Sequence, residues 1–115
     1  MSEFDQGSVF GGIADNGAEE RRYKLTLQLE PEEDNFITLT YTFRKPTIGS
    51  YNRYVKSISQ NAHKAAEAFL FDNIVEEDSN RLKKDLEEYP ALALSASEKL
   101  LAMLGLAKSS NLIKL

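Results

Sequence analysis

Alternation is the first ordered signal along the chain. Tyr23, Leu25, Leu27 and Leu29 are separated by Lys24, Thr26 and Gln28, and Ile37, Leu39, Tyr41 and Phe43 by Thr38, Thr40 and Thr42. A period of two with one apolar face predicts half-buried strands over 22–29 and 36–44, the second rich in β-formers. Pro31-Glu32-Glu33-Asp34-Asn35 between them is charged and opens with proline, so the two strands are expected to form an antiparallel hairpin. A lone hairpin is not stable in water, and its apolar face requires a cover of helices.

The period changes at Pro46, which stops the second strand. Thr47 is placed to cap a helix carrying Ile48, Tyr51, Tyr54, Val55 and Ile58 at helical spacing. Asn61 marks an interruption or the cap of a second helix bearing Ala62, Ala65, Ala66, Phe69, Leu70 and Ile74. Phe71 and Val75 lie off that stripe, so the second helix is apolar on two sides and is expected at the centre of the fold. Glu76-Glu77-Asp78-Ser79 suits a helix N-terminus, where negative charge meets the positive end of the dipole. Leu82, Leu86 and Tyr89 form the thin stripe of a third helix, which Pro90 ends. Ser95 and Glu98 are spaced as a capping box for a last helix through Leu100, Leu101 and Leu104, with Gly105 as its C′ residue.

The expected fold is therefore α+β, an N-terminal antiparallel β-hairpin packed against three or four helices within a single domain over 22–105. Its core is expected to hold Leu25, Leu27, Leu39, Tyr41, Phe43, Tyr54, Val55, Ile58, Phe69, Leu70, Ile74, Leu82, Leu86, Leu101 and Leu104. Residues 1–21 carry four of the six glycines and no sustained period, and are expected to be a flexible acidic arm. Residues 106–115 are expected to be a tail.

Composition agrees with one globular unit: 115 residues, 42% hydrophobic and 28% charged, are enough to bury a core without staples. Zero cysteines exclude disulfides, thiolate zinc sites and cysteine nucleophiles. The N-terminus lacks a basic start followed by an apolar run, and no stretch approaches the roughly 18 apolar residues of a membrane span. A soluble protein of the cytoplasm, without membrane contact, is the expectation.

Charge is divided along the chain. Residues 1–34 carry nine acids against three bases, and 67–115 carry nine against six. Between them, 35–66 contains no acid but holds Arg44, Lys45, Arg53, Lys56 and Lys64. These five are the candidate partner-binding residues. A positive middle between negative flanks also permits head-to-tail contacts between copies.

Catalytic constellations are weak by comparison. His63 is the one histidine, and no Gly-x-Ser-x-Gly elbow accompanies it. The carboxylates cluster as Glu32-Glu33-Asp34, Glu76-Glu77-Asp78 and Glu87-Glu88 beside turns or helix ends, which reads as solvated caps. No calcium loop, P-loop or dinucleotide pattern occurs. No enzyme activity, cofactor or metal is expected. Basic residues mixed with Tyr41, Tyr51 and Tyr54 would suit single-stranded nucleic acid, but Tyr51 and Tyr54 belong to the helix stripe and the pI is near 5.0. A nucleic-acid module using 44–64 is thus the alternative, along with an unrelated protein-interaction domain.

Phe43-Arg44-Lys45-Pro46-Thr47, closing a hairpin before a helix with spaced aromatics, resembles small tail assembly chaperones of long-tailed bacteriophages and prophages. Asp85-Leu86-Glu87-Glu88-Tyr89-Pro90-Ala91-Leu92 and the closing Leu100-Leu101-Ala102-Met103-Leu104-Gly105 extend the resemblance over about residues 22–106. It implies a non-enzymatic protein of the host cytoplasm that coats a long tape-measure protein. Such a protein keeps its partner soluble until tail-tube proteins, a second class of contact, polymerise round it. The family has no catalytic residues to transfer.

Overall fold

The structure, a computed structural model, describes residues 21–115; the arm expected over 1–21 lies outside the described residues apart from Arg21. The fold is α+β. Strands β1 (Arg22–Glu32) and β2 (Asn35–Arg44) form an antiparallel hairpin, followed by helices α1 (Ile48–Ile58), α2 (Ala62–Asn73), α3 (Glu76–Glu88) and α4 (Leu92–Ala102). Residues 106–115 follow without helix or strand. Among the described residues, no helix is long and apolar enough to cross a membrane.

The hairpin runs closer to its turn than the alternation alone suggested. Leu29 pairs with Ile37 and Glu32 with Asn35, so β1 carries one extra residue there. Pro31 sits in that irregularity, where a missing N–H breaks no ladder bond. Asp34 takes a left-handed φ of 63° at the turn, and its N–H donates to the Glu30 carboxylate at 2.8 Å. An aspartate tolerates that conformation better than a branched residue would.

The second strand is locked to the helices along its outer edge. Val75 N–H donates to the Thr42 carbonyl at 3.1 Å, and Thr42 N–H donates to the Asp78 carboxylate at 2.7 Å. The Arg81 guanidinium donates to the Thr40 carbonyl at 2.7 Å, pairs with Asp78 at 2.9 Å and lies 4.8 Å over the Tyr41 ring. Tyr41 Oη donates to the Asp85 carboxylate. Asp78, Arg81 and Asp85 recur at helical spacing, so a single face of α3 lies along β2. This corrects the reading of Asp78 as a solvated cap: its side chain is only 18% exposed and serves as a backbone acceptor.

Tyr41 and Phe43 are fully buried beneath α2, α3 and α4, together with Leu27, Phe69, Leu70, Ile74, Leu82 and Leu86. Leu25, Leu39, Tyr54, Leu101 and Leu104 pack against this core while keeping some exposure. Val55 and Ile58, expected inside, are instead 46% and 39% exposed, because α1 packs on α2 through Tyr54 and the buried Ser50. Phe71, on the second apolar side of α2, is also partly exposed, whereas Val75 is buried. The α2–α4 contact adds core residues that the stripes did not indicate, Leu92, Ala93 and Ala96, beside Ala66 and Leu100, and Ser97 Oγ donates to the Ala66 carbonyl at 3.1 Å. Small residues let the two helices approach closely.

Caps fit the expected pattern except at α4. Thr47 Oγ1 accepts from Ser50 N–H, and Asn61 Oδ1 accepts from Lys64 N–H, each at 3.0 Å. Glu76, Glu77 and Asp78 do occupy the first turn of α3. The expected Ser95–Glu98 capping box does not form. Helix α4 starts four residues earlier, with Ala91 at its N-cap, because Leu92 and Ala93 are drawn into the core and Leu92 N–H already bonds the Tyr89 carbonyl at 2.9 Å. Its other end closes as expected on Gly105, with φ 109°, Gly105 N–H to Ala102 O at 3.2 Å and Leu106 N–H to Leu101 O at 3.1 Å. Those two bonds define a Schellman motif with glycine at C′.

Phe69→Ala removes the central ring of this core and is expected to lower the unfolding free energy by about 3–5 kcal/mol, read from urea midpoints. Burial first, then the Asp85 hydrogen bond and its charge, push the Tyr41 hydroxyl above its ordinary range. The native state therefore favours the protonated phenol. That stabilisation is full below pH about 10 and is lost as pH climbs through the folded value. Between about pH 9 and pH 12, melting temperature should fall more steeply for the wild type than for Tyr41→Phe.

Candidate functional site

The acid-free window folds into two neighbouring surfaces with different chemistry. Arg44, Lys45 and Arg53 come together around an open cleft of about 510 Å³, with Arg21, Tyr23, Thr47, Ser50, Asp72 and Asn73 completing its wall. They converge because Pro46 and Thr47 turn the chain from β2 straight into α1, so the end of the strand faces the first turns of the helix. Lys56, in the last turn of α1, and Lys64, in the first turn of α2, are exposed and do not line the cleft.

Two of the three clustered cations hold the fold together. Arg53 Nη2 lies 3.0 Å from the Asp72 carboxylate, which also accepts from Ser50 Oγ at 3.2 Å. Buried Asn73 donates to Ser50 Oγ at 3.0 Å and to the Phe69 carbonyl at 2.8 Å. This chain of bonds joins α1 to α2 and satisfies polar groups that burial would otherwise penalise. Arg44 Nη1 donates to the Ile74 carbonyl at 2.9 Å, tying the end of β2 to the α2–α3 corner. Asp72 is the cleft residue that sequence reasoning missed. Its signal is positional: it lies in the last turn of α2, one residue before a buried asparagine.

The second surface is apolar. Tyr51, Tyr54, Val55 and Ile58 from α1 face Leu101, Leu104 and Leu106 across a groove of about 450 Å³ at the end of α4. The Schellman turn at Gly105 brings Leu106 back over Leu101, which is how the helix end comes to supply the opposite wall. Tyr54 stacks on Phe69 with ring centroids 5.0 Å apart, anchoring the groove floor to the core. The rest of the α1 stripe stays open.

The remaining candidates have structural roles. His63 Nε2 lies 3.1 Å from the Pro90 carbonyl, and its other ring nitrogen is 3.9 Å from Glu67. No group of three or more His, Cys, Asp or Glu side chains converges as a metal site among the described residues. The geometry therefore offers surfaces for contact: one polar and partly neutralised, the other apolar and open.

This arrangement of a hairpin under four helices has relatives. Residues 15–114 match a family described as a domain of unknown function, DUF6848, and the chain belongs to that family. No curated protein matches the chain. Its fold is similar to the solved structure of an uncharacterised protein from Bacillus stearothermophilus, 22% identical, with a TM-score of 0.66 over 81% of this chain and 90% of the other.

If Asp72 is the clasp between α1 and α2, Asp72→Ala should cost about 1 kcal/mol, since the Arg53 pair is largely solvated and the Ser50 bond is neutral. Lys45→Glu, at the cleft rim, should leave the melting temperature unchanged. Thermal melts of the two variants side by side check both outcomes.

Proposed function

We propose that this protein is a non-enzymatic chaperone of phage tail assembly, which shields amphipathic helical segments of a tape-measure protein in the host cytoplasm. The observation that carries the reading is the apolar groove between α1 and the end of α4. It presents tyrosine and aliphatic side chains on a helix that Tyr54, at the groove floor, and the buried Ser50 fix to the core. A groove of that composition takes the apolar face of a helix, with anchors at i, i+3, i+4 and i+7. The resemblance at Phe43–Thr47 and over 85–105 supplies the identity of the partner.

The cationic rim contributes orientation rather than binding energy. Lys45 and Lys56 stand exposed on the β2–α1 segment and would steer an acidic flank of the partner helix toward the groove. The nucleic-acid alternative is less well supported, because the guanidinium of Arg53 is engaged by Asp72 and that of Arg44 by the Ile74 carbonyl. A stacking platform has little to work with either, as Tyr41 is buried and Tyr54 lies on Phe69.

Co-expression tests the reading. An aggregation-prone fragment of the tape-measure protein should become soluble with the wild type, and remain insoluble with Val55→Asp/Ile58→Asp. Both residues are exposed, so the double variant should keep its helical spectrum. Lys45→Glu should reduce recovery only partly. A fragment that stays insoluble with the wild type, while single-stranded DNA binds with a steep salt slope, would sink the proposal.

A further inference from the structure

The outer edge of β1 is a further open surface among the described residues, and its chemistry is self-complementary. Thr40 and Thr42 turn their backbone groups away from the hairpin, toward α3 and the α2–α3 corner. In an antiparallel ladder these directions alternate, so Ile37, Leu39, Tyr41 and Phe43 point theirs at β1. Their partners are Leu29, Leu27, Leu25 and Tyr23. It follows that Arg22, Lys24, Thr26, Gln28 and Glu30 present their N–H and C=O groups to the opposite side, where no strand pairs with them among the described residues. The edge is not short, and its register is regular from Arg22 to Leu29, with the irregularity at Pro31 falling after it.

We propose that β1 pairs with β1 of a second copy, antiparallel about a two-fold axis at Thr26, giving a continuous four-stranded sheet β2–β1–β1–β2. The register is fixed by charge. With Thr26 opposite Thr26, Lys24 meets Gln28, and Arg22 at the basic end meets Glu30 at the acidic end, twice by symmetry. Cross-strand pairs of opposite charge stabilise a sheet, and like charges directly opposite destabilise it. In this register no like charges meet. On the other face, Tyr23 meets Leu29 and Leu25 meets Leu27. That continues the apolar surface just where Tyr23 is 38% exposed and Leu25 and Leu29 are only partly covered.

A two-fold axis perpendicular to the sheet keeps both helical layers on the same face, and the polar face of Lys24, Thr26, Gln28, Thr38 and Thr40 stays in water. The interface is isologous, so it closes as a dimer and does not propagate. Within one copy the two charged residues have only exposed contacts to exchange. Arg22 lies 3.6 Å from Glu77, and one Glu30 oxygen accepts the Asp34 N–H. The inference does not depend on the tape-measure reading, since it concerns a different edge of the molecule.

The absence of cysteine makes a direct test available. Opposed residues in such a ladder have Cα atoms about 5.5 Å apart, within disulfide range. Under mild oxidation the full-length Thr26→Cys variant should cross-link to a symmetric dimer, and Thr38→Cys, on the other strand, should not. In sedimentation equilibrium the wild type should dimerise, and Arg22→Glu should raise the dissociation constant about tenfold by creating two like-charge pairs. Adding Glu30→Arg to Arg22→Glu should restore dimerisation, which a purely structural role of either residue would not do. A wild type that stays monomeric at all concentrations overturns the proposal. So does equal cross-linking at positions 26 and 38, or failure of the charge swap to rescue a folded variant.

Discussion

Everything in this molecule depends on how the outer edge of β2 is closed. Two strands alone do not make a stable sheet, and the hairpin offers only one apolar face. The α2–α3 corner solves this by acting as a short third partner: Ile74 bridges to Phe43, Val75 bonds Thr42, and the first two turns of α3 supply Asp78 and Arg81 to the next groups along. The corner thereby places Tyr41 and Phe43 under α2 and α3, and their burial holds the helices in turn. Arg44 extends the same clasp to the Ile74 carbonyl.

The two open surfaces follow from that closure. With β2 committed to the helices, β1 is left as the outer strand, and its backbone groups face outward. With α2 buried between β2, α1 and α4, α1 is pushed to the periphery. It reaches the core through Tyr54 and Ser50, and the rest of its apolar stripe remains in water. Among the described residues no element covers that stripe, which is the feature the proposed docking of a partner helix rests on. The groove and the strand edge are therefore consequences of one packing decision.

The strands, the four helices and most caps were legible because they are written in local signals: alternation, helical spacing, Thr47 and Asn61 as caps, Gly105 as terminator. What could not be read was which of two similar stripes would win the core. Val55 and Ile58 look as apolar as Leu82 and Leu86, but the α3 stripe is backed by Asp78, Arg81 and Asp85 on the same helical face, and those polar residues bond β2. Alanines at 93 and 96 stand out in no stripe, although small size is what lets α4 approach α2. For the candidate site, the basic residues of 44–53 do gather in space. The carboxylate that pairs with Arg53, Asp72, comes from the last turn of the next helix, and its sequence position does not say which cation it meets.

Residue-resolved hydrogen exchange on the intact protein tests the central claim most directly, because the clasp on β2 is made of backbone amides. The account predicts that the amides of Thr42 and Val75, though at a strand edge and a helix junction, exchange as slowly as those of Leu25 and Leu27 inside the hairpin. If Thr42 and Val75 exchange at the rate of frayed ends while the hairpin amides stay protected, the corner is not what holds the sheet, and the account is contradicted.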